Sequence, residues 1–283
     1  MELVITLSGF LLMGLLCTAF ERLWPEDSDQ PRWRSDSWID VFYLGLRITL
    51  SVLLMLLTML VGHSMTAPAE NAINRQPMWL QIIQILLLTD LISYWTHRVF
   101  HVCAPLWRVH AIHHSAEKID WIVAARNHPL EPLAFKILMN YPLFLLGYSP
   151  EVLASVMPFV ATYSLLLHAN VTWDYGPLGY VIASPAFHRW HHSSEEAAID
   201  RNYAQLFSFY DYLFGSAYFP RGVHSQKYGL LREQLPVSIW SHLVYPVRDL
   251  PARMRSWAYR PKAEVVEACE TQKSEQMTIE YQP

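Results

Sequence analysis

His97-Arg-Val-Phe-His101 is followed, after eight intervening residues, by His110-Ala-Ile-His113-His114, and the second pattern returns as His188-Arg-Trp-His191-His192. Eight of the thirteen histidines fall in these three stretches. On an α-helix, residues three and four apart share a face, so each stretch is expected to present two or three imidazoles to one point. Pro105 favours the first turn of a new helix and hence a break between the first two stretches. Ser184-Pro185 gives the third stretch a serine N-cap and a proline at the first helical position. Cys103, between the first two stretches, is read as a small apolar residue rather than a ligand.

The ligand type narrows the metal. Imidazole suits iron, zinc, copper and nickel, whereas calcium and magnesium take oxygen. One zinc site needs three or four ligands, so eight histidines exceed a single ion. Two metals with about four nitrogens each would use them all. A histidine-only dinuclear site beside apolar segments points to iron and oxygen chemistry on an apolar substrate, because breaking an unactivated C–H bond lies beyond amino-acid acids and bases.

Outward from the histidines the chain is apolar. Hydrophobic residues make up 52% and charged residues only 16%, against about 25% charged in soluble domains. Apolar runs cover roughly 3–20, 38–62, 78–96, 133–147 and 151–168. Asp40 and Arg47 lie near the start of the second run, where an interfacial or snorkelling position is expected. The fourth run is short and carries Lys136 and Pro142, so the last two runs are either two crossings or one re-entrant hairpin. The fold expected is all-α: an integral membrane bundle of four to five apolar helices under a cytoplasmic helical cap that holds the dinuclear site. It divides into N-terminal transmembrane helices (1–96), a histidine-rich catalytic region (97–220) containing the hairpin 133–168, an interfacial segment (221–260) and a polar, disordered tail (261–283).

Arg22, Arg32 and Arg34 occupy the loop 21–37, Arg75 alone the loop 63–77, while 97–132 holds four Lys/Arg and the chain after 168 eleven. The positive-inside rule then puts all three histidine stretches on the cytoplasmic side, in a bacterial inner membrane or the endoplasmic reticulum. A net charge of −4 gives no reason to propose nucleic acid. Cys17, Cys103 and Cys269 form no disulfide framework or CxxC pair, in keeping with a reducing compartment.

HxxxH, a closely following HxxHH and a distant HxxHH resemble the fatty acid hydroxylase / sterol desaturase superfamily of membrane-bound di-iron enzymes. The likeness covers roughly residues 85–220. Arg126-Asn-His128-Pro-Leu-Glu131, Leu167-His168-Ala-Asn170, Asn202-Tyr203 and Asp211-Tyr-Leu-Phe-Gly215 are similar to further segments of that family. Ala169, Ala204, Tyr210 and Ser216 depart from its pattern without removing a histidine. The resemblance implies two iron ions ligated by His97, His101, His110, His113, His114, His168, His188, His191 and His192, with O2 as co-substrate. It implies hydroxylation or desaturation of a lipid, and an external haem protein, ferredoxin or flavoprotein reductase as electron donor. His128 is open between ligation and a place beside the metals or substrate, and Asn170, Asn202 and Asp211 are candidates for the same surroundings. Glu131, Asp200 and Asp211 can orient imidazoles by accepting their other N–H, although such carboxylates more often cap helices or pair with cations.

Two other functions compete. A metal-ion transporter would spread histidines at mid-span on several helices. A zinc-dependent membrane hydrolase would need fewer of them and a glutamate as in HExxH, which this sequence lacks. Trp107, Trp121, Trp173, Trp190 and Phe207-Ser-Phe209-Tyr210 are candidates to line a lipid channel, with an interfacial belt or core packing as the competing role. His63, His224 and His242 stand alone and are expected at the surface.

Overall fold

The computed structural model describes residues 2–62, 72–225, 227–231 and 234–248. His63 and the tail 261–283 lie outside them. The described residues form helices and turns without a named strand; two isolated bridges, Pro25 with Val171 and Ser193 with Tyr228, are the sheet-like pairings.

All five apolar runs are helices: α1 (Glu2–Leu23), α2 (Ser37–Gly62), α3 (Met78–Val102), α5 (Leu130–Leu146) and α6 (Pro150–His168). Short helices α4 (Ala104–His110), α7 (Pro185–His191), α8 (Phe209–Leu213) and α9 (Ile239–Val244) complete the set, with a 3-10 turn at Trp121–Ala125. Among the described residues, 78–102 and 151–168 are long and apolar enough to cross a membrane. At about 1.5 Å per residue, α5 reaches only about 26 Å, short of a hydrocarbon core of about 30 Å.

Local chemistry sets the boundaries. α5 stops at Gly147, whose φ of +88° is left-handed and free of cost without a Cβ. Ser149 then caps α6 by accepting from Val152 N. The resulting hairpin packs on α3 through Ile85, Met139, Leu143, Val152 and Val156. α1 lies against α6 and the 121–125 turn through Cys17, Ala124 and Leu165. Elsewhere α1 and α5 turn large side chains outward, among them Leu11, Leu15, Ile137 and Leu145. An apolar surface of this kind is what hydrocarbon accepts and water does not.

Asp40 faces the protein interior. It is fully buried and pairs with Arg34 (2.6 Å) and with Arg126, through both its Nε and its Nη2 (2.9 Å). Arg34 also holds Asp36 and Asp120, and Arg126 holds Asp36. This network ties the 34–40 segment to the chain at 120–126, which carries one wall of the histidine site. Arg47 does not snorkel to water; its guanidinium donates to Ala124 O (2.8 Å). His242 is likewise buried, stacked at 6.1 Å on Tyr43, because α9 folds back onto α2. Trp240, next to it in α9, is exposed, whereas Tyr245 is buried. His224 is half-exposed and sits 2.6 Å from Glu26.

Removing one member of a buried ion network strands its partners. Asp40→Ala is expected to lower stability by about 3–5 kcal/mol, read as a fall in the thermal midpoint of the detergent-solubilised chain.

Candidate metal centre

α3 ends at Val102, and Cys103 caps α4 with Pro105 in its first turn, so the first two histidine stretches meet at an angle. α4 itself ends at His110, and a 3-10 turn carries His113 and His114. α7 opens as its sequence suggests, with Ser184 Oγ accepting from Phe187 N (3.1 Å). α6 delivers His168 from its last turn.

The nine histidines converge as two groups. His97, His101, His110, His114 and His191 form one; His113, His168, His188 and His192 form the other. Within each group, one ring nitrogen from every histidine lies within 4.8 Å of the rest. The expectation that each HxxHH serves one point is therefore corrected. His110 and His114 join one group while His113 joins the other, and His188 and His192 part from His191 in the same way. Neighbours in sequence do not face each other on a helical turn, so each HxxHH feeds both groups, whereas His97 and His101 both join the first.

Hydrogen bonds at the back of the rings decide which nitrogen looks inward. Nδ1 of His97 donates to Tyr203 O (2.8 Å), that of His113 to Arg126 O (3.2 Å), that of His168 to Ser164 O (2.7 Å) and that of His191 to Arg201 O (2.8 Å). A carbonyl only accepts, so these nitrogens carry the proton and Nε2 carries the lone pair. Asp200 holds His101 Nδ1 at 3.1 Å. Glu131 Oε1 stands 3.0 Å from His110 Nδ1, at contact distance but out of line for a hydrogen bond.

Inside the groups, lone pairs face one another. His113 Nε2 and His168 Nε2 are 3.0 Å apart, yet both protons are spent on backbone carbonyls. No hydrogen bond is possible between them. His168 Nε2 also meets His188 and His192 at 3.1 Å, and His110 Nε2 meets His97 at 3.0 Å and His114 at 3.1 Å. Nε2 of His101 and of His191 has no hydrogen-bond partner among the described residues. Two nitrogens at right angles on an ion with bonds of about 2.1 Å stand about 3.0 Å apart, so the spacing suits a cation in each group. Burial, reinforced by neighbouring imidazoles, holds His113, His114, His188 and His192 well below the usual histidine range, and burial takes His191 to about 3. Neutral imidazole is the ligating form.

Other expected site residues stand further back. His128 belongs to neither group; its Nε2 donates to Leu243 O (3.3 Å) and its Nδ1 accepts from Leu130 N (3.3 Å). Asn170 ties the chain at Glu26–Asp27 to the end of α6. Asn202, at a left-handed φ of +58°, donates to Phe187 O and Tyr218 O. Asp211 accepts from Tyr203 N and Ala204 N, both at 2.8 Å, and from Ser216 Oγ. Burial pushes its carboxyl up to about 6 against the pull of those bonds. Asp90, which nothing in the sequence singled out, accepts from the N–H groups of Gln205, Leu206 and Phe207. Two carboxylates thus fix the loop whose Tyr203 carbonyl holds His97.

A cavity of about 200 Å³ opens onto both groups, touching His97, His110, His113, His168 and His188. Its apolar wall is the inner face of the α5–α6 hairpin, including Phe135, Met139, Met157 and Val160. None of the aromatic residues proposed from sequence lines it. Trp107 instead packs on His101 and His114, Trp173 on Phe20 and Trp24, and Trp190 on Tyr218.

Two long helices and three short segments bring nine buried imidazoles together as two groups, each of which could hold a metal ion. Residues 82–216 match the family model for fatty acid hydroxylase. The chain is 34% identical over 158 residues to an ornithine lipid hydroxylase of Rhizobium tropici, covering 56% of this chain and 47% of that protein. It is 31% identical over 186 residues to the alkylglycerol monooxygenase of Danio rerio, covering 65% and 39% respectively. A very-long-chain aldehyde decarbonylase of Oryza sativa subsp. indica is 26% identical over 141 residues. The chain thus spans less than half the length of these relatives. No solved structure matches.

Asp211→Ala is expected to cost about 1–3 kcal/mol for each buried N–H it orphans, measured as loss of thermal stability.

Proposed function

We propose that the protein is a membrane-embedded lipid oxygenase whose nine histidines hold two iron ions, one among five nitrogens and one among four. The reading rests on the facing lone pairs of His113 and His168, whose protons are both committed elsewhere. Such a pair is repulsive alone and favourable around a cation. The family match and the lipid hydroxylase and monooxygenase relatives support iron and oxygen over other chemistry.

When bound, the iron pair supplies the oxidising power that O2 and two electrons need to attack an unactivated C–H bond. Hydroxylation turns the C–H into C–OH, with the second oxygen atom leaving as water; desaturation removes two hydrogens and both oxygen atoms leave as water. The protein's residues orient and exclude. Backbone carbonyls behind His97, His113, His168 and His191 fix the ring planes, Asp200 does so for His101, and the Glu131 carboxylate stands against His110 Nδ1. Phe135, Met139, Met157 and Val160 receive an apolar chain and keep water from it. Electrons come from a separate haem protein, ferredoxin or flavoprotein reductase, since the sequence holds no haem-attachment, iron–sulfur or flavin motif. The Lys/Arg distribution supports a cytoplasmic centre, with the helices as the membrane part and α5–α6 as a crossing pair or a re-entrant hairpin. Ion transport fits poorly, because the nitrogens gather at two points instead of marking a path.

Purified protein is expected to bind about two irons per chain, and His191→Ala to lose both metal and turnover. Lipids of cells expressing the protein should gain one oxygen or lose two hydrogens by mass spectrometry. Active enzyme carrying only stoichiometric zinc would overturn the reading. Glu131→Gln and Asp200→Asn are each expected to weaken iron retention against a chelator by about 10–100-fold.

A further inference from the structure

The cavity holds two cations as well as apolar side chains. Arg47, from α2, and Lys136, from α5, both line it. Arg47 donates to Ala124 O (2.8 Å) and Lys136 to Ser51 Oγ (2.8 Å), both neutral oxygens. Among the described residues, neither has a carboxylate at ion-pair distance. The acid of the same lining, Glu131, is engaged by Asn127 Nδ2 (2.9 Å) and stands against His110. A low-dielectric cavity lined by two cations, with the single carboxylate of Glu131 acting on Arg47 from beyond ion-pair distance, is costly unless a further anion completes it.

The helix faces show where these charges sit. Glu131, Pro132, Phe135, Lys136, Met139 and Asn140 line the cavity from α5, at the spacing of one helical face. Lys136 therefore lies about 7–8 Å along the axis from Glu131, which touches His110. α6 supplies the opposite wall from Met157 to His168. The cations thus stand between the histidine end and the far apolar end, near to the imidazoles.

We propose that Arg47 and Lys136 form an anion-binding subsite in the substrate cavity, which selects lipids bearing a carboxylate or phosphate close to the carbon that meets the metals. This rests on the lipid-oxygenase reading of the cavity. The guanidinium offers paired donors and the ammonium a point charge, so one oxyanion can meet both. The hydrocarbon chain continues along Phe135, Met139 and Met157. The same two charges disfavour a lipid with only a neutral head, since its binding leaves them unpaired.

The test uses the full-length, iron-loaded chain in maltoside micelles, with affinities for oleate, oleoyl lysophosphatidate and monooleoylglycerol measured by native mass spectrometry. At least one anionic lipid is expected to bind about tenfold or more tighter than monooleoylglycerol, and the tighter of the two identifies carboxylate or phosphate. Arg47→Gln and Lys136→Gln should each weaken that lipid by about tenfold and leave monooleoylglycerol unchanged, while Arg47→Lys retains most of the preference. Iron content reports folding, and Lys136→Gln carries the test should Arg47→Gln lose its iron. Equal affinity for all three lipids in the wild type, or unchanged selectivity in Lys136→Gln, overturns the subsite. Selective anion binding without oxidation of any lipid under O2 and reductant would instead sink the oxygenase reading and leave the subsite standing.

Discussion

An imidazole has two nitrogens, and a cation can use only the one that has given up its proton. The whole site follows from where that proton is sent. For His97, His113, His168 and His191 it goes outward, to the carbonyls of Tyr203, Arg126, Ser164 and Arg201. Nε2 is left as an inward lone pair on each. Without a cation, crowding such lone pairs to about 3 Å in a buried space is unfavourable twice over, through repulsion and through unsatisfied acceptors. The carbonyls are therefore as much a part of the centre as the rings, and the fold has to hold them still.

Buried charge does much of that holding. Arg126 contributes its carbonyl to His113 and its guanidinium to Asp36 and Asp40, so one residue couples the metal wall to the ion network under α2. On the other side, Asp90 and Asp211 accept five backbone N–H groups between Tyr203 and Phe207. Glu21 adds a similar clamp, accepting from Trp121 N and Asn170 N, which joins α1 to the ends of the catalytic segments. A rigid polar shell of this kind keeps the ligand rings from rotating when a substrate enters beside them.

Substrate access is built from the opposite chemistry. The α5–α6 hairpin turns apolar side chains both outward and into the cavity. Under the proposed function, a lipid chain passing between the two leaves one hydrocarbon environment for another, so little desolvation stands in its way. Polar groups in the cavity, Arg47 and Lys136 among them, are then, on the proposed anion subsite, the features that would tell one lipid from another.

The sequence determined more of this protein than its low charge and many apolar runs suggest. Histidine spacing alone named eight of the nine clustered imidazoles, family resemblance added His168, and hydropathy located all five long helices. Helix starts at Ser184-Pro185 and the break near Pro105 were legible because proline and serine act locally. Only the tertiary structure decided how the histidines divide. Adjacent residues such as His113 and His114, or His191 and His192, point apart, and which point each reaches depends on four segments meeting in space. The same holds for Asp40, Asp90 and His242: Arg126 lies 86 residues from Asp40, and the 205–207 loop begins 115 residues from Asp90. Backbone carbonyls carry no residue signature at all. A periodic pattern records what a side chain is and which face it shares, and the distant chain that completes its hydrogen bonds is written only in the fold.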